Sequence, residues 1–84
     1  HPVLGLALCE IVVRRLRVQL SFATSDDRRR IYDLARFAAS EAERQHLTAC
    51  ADHLRKALTA IAAGDLIGAD AWVVQAQAVF NGPR

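Results

Sequence analysis

The sequence predicts an all-α fold, a small bundle of three to four antiparallel helices completed by oligomerisation, from two main observations. The stretch from Asp26 to Ala63 lacks internal glycine and proline and is rich in alanine, leucine, arginine and glutamate, which favour helices. After Gly64, apolar residues such as Ala69 and Trp72 recur at helical spacing. With 84 residues, the chain is expected to form a single helical domain over residues 1–84.

The first predicted helix runs from Val3 to Phe22, with Pro2 suited to its first turn. Its apolar residues divide between two nearly opposite faces, so such a helix must be covered on both sides. One face holds Leu6, Val12, Val13, Leu16 and Leu20, and the other holds Leu4, Leu8, Ile11, Val18 and Phe22, interrupted by Arg15.

A β-strand is the alternative for the end of this segment. Residues from Arg15 to Phe22 alternate polar and apolar side chains, a pattern typical of a half-buried strand. Because no hairpin turn and no second strand follow, a lone strand would leave its backbone unpaired, and we favour the helix.

The long helix-favouring stretch is predicted to form two helices, Asp26 to Ala39 and Glu41 to Ala63. Its two halves direct their apolar residues about 140 degrees apart at 3.6 residues per turn. Ser40 and Glu43 have the spacing that caps a new helix. One continuous helix with two partner surfaces is the alternative.

Both ends of this stretch carry helix-boundary signals. Thr24 and Asp27 form a capping-box-like start, and Gly64 is the residue type expected just past a helix end. A last helix is predicted from Leu66 to Phe80.

Composition favours a homodimer. About half of the residues are apolar, but many are alanine, so a chain this short has few large side chains for its own core. The segment from Pro2 to Phe22, with its two apolar faces, is expected to lie at the dimer centre.

A cytoplasmic protein without a membrane segment is expected. The apolar run from Pro2 to Val13 is too short to span a bilayer. Cys9 and Cys50 lie in apolar helical contexts, as expected of buried free cysteines in a reducing compartment.

His46, Cys50 and His53 are the candidate metal ligands, because steps of four and three residues place them on one side of a helix. Three ligands from one straight helix rarely surround an ion, and Cys50 falls within the apolar stripe. We interpret them as a core cysteine flanked by two boundary histidines, and we expect neither a metal nor a cofactor.

Two arginine clusters are the candidate nucleic-acid contacts, because guanidinium groups bind phosphate well. They are Arg14, Arg15 and Arg17, and Arg28, Arg29 and Arg30. The net charge is only +2, and neighbouring aspartates can pair with the second cluster, so a small nucleic-acid-binding regulator is the alternative function rather than the favoured one.

The favoured function is a protein–protein interaction or oligomerisation module. The sequence has no phosphate-binding glycine loop and no nucleophile motif, so an enzyme is not expected. Apolar surface in excess of what the chain can cover indicates interfaces. The predicted interface residues are Phe37, Leu16, Leu20 and Phe22.

Overall fold

Four α-helices make up the chain in the computed structural model, which describes residues 2–81. They are α1 (Pro2–Ser21), α2 (Arg28–Arg44), α3 (Thr48–Ala62) and α4 (Leu66–Asn81), and a 3₁₀ turn over Ser25–Asp27 precedes α2. Residues 2–81 contain no β-strand. The all-α bundle is therefore confirmed, and the strand alternative for Arg15 to Phe22 is wrong.

The helices pack in a ring around one core. Each helix contacts its neighbours in sequence, and α4 closes the ring against α1. Short connections make consecutive helices antiparallel, so α1 and α3 face each other across the centre. The largest fully buried side chains are Leu16, Ile31, Leu54, Ile61, Val13 and Val73. Alanines supply much of the remaining core and let the helix backbones approach closely.

Two predicted helix boundaries are confirmed. The backbone N–H of Thr24 donates to Asp27 Oδ2 at 2.9 Å, which completes the capping box and lowers the pKa of Asp27. Gly64 adopts a left-handed φ of 83° after α3. Asp65 then caps the start of α4, where its Oδ1 accepts from the backbone N–H of Gly68 at 2.9 Å.

The break between α2 and α3 lies further along the chain than predicted. Ser40 and Glu43 remain inside α2, and the helix ends at Arg44. The turn is made by His46, whose φ of 61° is left-handed. The Leu47 N–H donates to the Ala42 carbonyl at 2.8 Å, and the His46 N–H donates to the Glu43 carbonyl at 3.0 Å. These two bonds define a Schellman motif, so His46 occupies the position that glycine usually takes.

None of the four helices, over residues 2–81, has the length and apolarity needed to cross a membrane.

Candidate protein-interaction surface

Helix α1 directs a line of mostly apolar side chains away from the bundle. Its members are Leu8, Ile11, Arg15 and Val18 of α1, together with Phe22, the residue directly after the helix, and we call them the α1 stripe. Steps of three and four residues keep the four helical members on one face of the helix. Ile11 is 60% exposed, Val18 is 58% exposed and Phe22 is 81% exposed. Large apolar side chains on one solvent-facing line are typical of an interaction site.

The opposite face of α1 forms the core. Leu16 is fully buried and Leu20 nearly so, which corrects their assignment to the interface: both are covered by the chain's own helices. The sequence had grouped Leu8, Ile11 and Val18 on the second apolar face, and that face is the exposed one. The side chain of Leu4, the first residue of that face, lies outside the described part of the chain.

Polar contacts define the edge of α1 that faces α4. Arg17 Nη1 donates to Gln77 Oε1 of α4 at 2.9 Å. Arg14 Nη2 donates to Glu10 Oε2 at 3.1 Å along the same edge. On the other edge, the side-chain amide of Gln45, the residue after α2, lies where a Cβ on Gly5 would be.

Phe37 extends the α1 stripe onto α2. Burial is the main cause that raises the pKa of Cys9, and the charge of Glu41 raises it further. Glu41 therefore faces α1. Phe37 lies one turn before Glu41 on the same side of α2. It is 48% exposed, and it lies on the side of α2 that faces α1.

The three candidate metal ligands do not converge. His46 forms the turn before α3, and Cys50 is fully buried in the core. His53 stacks on Trp72 with ring centroids 5.9 Å apart. The described residues contain no group of three histidine, cysteine or carboxylate side chains suited to a metal ion. The expectation of no metal stays a prediction.

A buried dithiol occupies the centre of the bundle. Cys9 of α1 and Cys50 of α3 are both free, fully buried and in contact with each other. Burial, together with the neighbouring Cys9 thiol, raises the pKa of Cys50 to about 12. Thiols held protonated in this way are poor nucleophiles, so the pair is suited to packing.

The two predicted arginine clusters face different sides of the bundle. Arg14 and Arg17 lie toward α4 through the contacts described above. Arg30 pairs with Asp27 at 3.0 Å. Arg28 and Arg29 instead line a cavity of about 420 Å³ toward α3, together with Tyr32, Asp33, Arg36 and Ala62. The clusters therefore do not combine into one basic surface.

An arrangement around Trp72 was not predicted from the sequence. The Lys56 Nζ lies 4.7 Å from the Trp72 ring centroid, while His53 stacks on the same indole. His53 and Lys56 are three residues apart on α3, so the helical spacing was visible, but their shared partner on α4 was not. This contact joins α3 to α4.

Comparisons of the chain with protein-family models, with curated proteins and with solved structures found no match.

Proposed function

We propose that the chain is a cytoplasmic protein–protein interaction module that binds through the α1 stripe and Phe37. The observation that carries this proposal is the row of exposed Leu8, Ile11 and Val18 along one face of α1, continued by the exposed Phe22 directly after the helix. Covering these side chains would remove apolar surface from water, which is the main driving force of protein association.

The composition of the surface also supports binding to another protein. Interface centres are poor in charge and rich in apolar and aromatic side chains. The α1 stripe has one charged member, Arg15, whose methylene chain can lie along apolar neighbours. Phe22 and Phe37 supply aromatic anchors. The free, buried Cys9 and Cys50 support the cytoplasmic part of the proposal.

Capture by the immobilised chain tests the proposal. The bait is incubated with the untagged chain and, separately, with cell lysate, and bound protein is quantified. Ile11→Asp and Phe37→Asp are expected to weaken capture by about tenfold or more, because a charge would be buried without a partner. Circular dichroism must show that both variants keep their helical content.

Val79→Asp is the matched control, since Val79 is also an exposed apolar residue. It lies two turns after Trp72 on the side of α4 that faces α3, away from the α1 stripe. Val79→Asp should capture as the wild type does. Equal capture by wild type, Ile11→Asp and Phe37→Asp would refute the proposed surface.

A second candidate function is binding of nucleic acid at the α2–α3 cavity. Arg28, Arg29 and Arg36 surround Tyr32 there with Asp33 as the acidic neighbour, and none of the three arginines forms an ion pair within the described part of the chain. Unpaired guanidinium groups beside an aromatic ring suit phosphates and stacked bases.

Retention on DNA or heparin as a function of salt tests this second candidate. The double variant Arg29→Glu/Arg36→Glu should elute at lower salt than wild type, because fewer counterions are released on binding. Arg14→Glu is the control, since Arg14 is paired with Glu10 on another side of the bundle. Equal elution of wild type and the double variant would exclude this site.

A further inference from the structure

We propose that the α2–α3 cavity binds single-stranded nucleic acid in preference to a duplex, with one unpaired base stacked on Tyr32. This inference rests on the second candidate function and names the form of nucleic acid that the cavity takes. The cavity has a volume of about 420 Å³, and three arginines outweigh one aspartate along its walls. Its ligand is therefore an anion with the size of a small molecule or of a short segment of a polymer.

Tyr32 lies between the arginines along α2. Arg28 and Arg29 precede it by four and three residues, and Arg36 follows it by four, so these side chains share one face of the helix about one turn apart. A nucleotide strand has the same order, because each base is attached between two phosphates. A base on the Tyr32 ring would therefore bring its two phosphates beside guanidinium groups.

The Tyr32 ring is anchored in the protein and also reaches the cavity. It is half-buried, packs against the core and forms part of the cavity wall. Proteins bind single strands with aromatic rings set in a positively charged groove, since every base offers a π-face. The bases of a duplex are stacked on one another, so a duplex would present only phosphates and would leave the ring without a partner.

The α2–α3 cavity continues into a second cavity with room for a neighbouring nucleotide. Arg28 lines both cavities, and its Nη1 lies 3.8 Å from the position of a Cβ on Gly64, so the guanidinium extends to the α3–α4 turn. The second cavity has a volume of about 530 Å³, and its other lining residues are Ser25, Gly64, Asp65, Leu66 and Ile67. Two neighbouring cavities that share an arginine favour a strand over a mononucleotide.

Charge alone would favour the duplex. A duplex has a higher charge density than one of its strands, and its counterion release per neutralised phosphate is greater. If Arg28, Arg29 and Arg36 acted without Tyr32, the cavity would bind a duplex at least as tightly as a single strand. Tighter binding of the single strand is therefore diagnostic of stacking on the ring.

Fluorescence anisotropy at low salt tests the inference with two probes. One is a labelled oligothymidylate of about twelve nucleotides, and the other is the same strand paired with its oligoadenylate complement. Wild type should bind the single strand about tenfold more tightly than the duplex. Tyr32→Leu, which keeps an apolar side chain against the core, should weaken single-strand binding about tenfold and leave duplex binding unchanged, because one base loses its stacking partner. Tyr32→Phe is the matched control and should bind as the wild type does.

Several outcomes would overturn the inference. Duplex binding as tight as single-strand binding would do so, as would single-strand binding that a folded Tyr32→Leu leaves unchanged. Displacement of the labelled strand by thymidine monophosphate at an equal concentration of nucleotide would show a mononucleotide site instead. The comparison of the two probes on wild type needs no variant, so it decides the question even if Tyr32→Leu fails to fold.

Failure of the inference can be told apart from failure of the second candidate function. If both probes bind equally and Arg29→Glu/Arg36→Glu weakens the binding of both, the cavity still binds nucleic acid and only the strand preference is lost. If neither probe binds at about 100 µM protein, both the inference and the second candidate function are excluded at any affinity near the micromolar range.

Discussion

Cys9 of α1 and Cys50 of α3 meet across the centre of the ring of helices, and neither is accessible to solvent. Because α1 and α3 are diagonal to each other, this contact joins the two halves of the bundle. Burial raises the pKa of both thiols, and the neighbouring carboxylate of Glu41 adds to the effect on Cys9. The folded protein therefore holds both thiols in their neutral form.

This raised pKa predicts a loss of stability at alkaline pH. The pKa of Cys50 is about 12 in the folded protein against an ordinary value of 9.0. Its contribution to the free energy of unfolding is thus fully present below pH 9 and is lost as the pH rises toward about 12. Urea denaturation between about pH 7 and pH 11 should show a steeper decline for wild type than for Cys50→Ala. Parallel curves would contradict this prediction.

The helical regions could be predicted from the sequence, but the α2–α3 break could not be placed correctly. The change in apolar direction between the two halves was visible because it follows from helical periodicity. The turn itself was hidden, since the left-handed position is occupied by His46 rather than by glycine. Ser40 and Glu43 have the spacing of a capping box, but α2 continues through both residues. It does so because Ala42, which lies between them, contributes to the core.

His46→Gly is expected to stabilise the protein. A side chain at φ 61° brings Cβ close to the backbone, and glycine removes this cost at the C-terminal cap. The expected gain is about 1 kcal/mol, reduced in part by the greater freedom of glycine in the unfolded chain. Chemical denaturation measures this gain. A loss of stability would mean that the His46 imidazole stabilises the folded protein by more than the left-handed backbone at this position costs.

Gly64→Ala is the complementary test at the turn after α3, a second Schellman motif in which the Asp65 N–H donates to the Ala60 carbonyl at 2.8 Å and the Gly64 N–H to the Ile61 carbonyl at 2.9 Å. Gly64 has the same backbone role after α3, with a φ of 83°. An added Cβ would find only Arg28 Nη1, at 3.8 Å, so any cost comes from the backbone rather than from a clash. We expect a loss of about 1 kcal/mol, opposite in sign to His46→Gly. Equal stability of wild type and Gly64→Ala would show that this turn tolerates a side chain.

Asp65→Ala is expected to destabilise α4 by about 1 kcal/mol, because it removes the side-chain cap on the backbone N–H of Gly68. Asp65→Asn should retain most of the stability, since an amide oxygen can also accept this bond. Asp33→Ala, at an exposed position on α2, controls for the loss of one negative charge. Thermal unfolding of the three variants distinguishes a cap from a charge effect.

The candidate surface could be predicted only in part. The sequence reveals two apolar faces on α1, but their hydrophobicity is similar. Which face becomes the core depends on where α2 and α4 pack, and that is a property of the assembled bundle. For this reason two of the predicted interface residues, Phe22 and Phe37, are exposed, whereas the other two, Leu16 and Leu20, are buried in the chain's own core.

The division of apolar residues between core and surface predicts very different costs for the same chemical change. Leu16→Ala should lower the free energy of unfolding by about 2 to 5 kcal/mol, because it leaves a cavity in a fully buried site. Ile67→Ala removes the same number of carbon atoms from a side chain that is 87% exposed, and it should change the stability by less than about 0.5 kcal/mol. Urea denaturation at low protein concentration separates these effects from any self-association. Similar values for the two variants would mean that α1 does not direct Leu16 into the core, and the α1 stripe would then lose its basis.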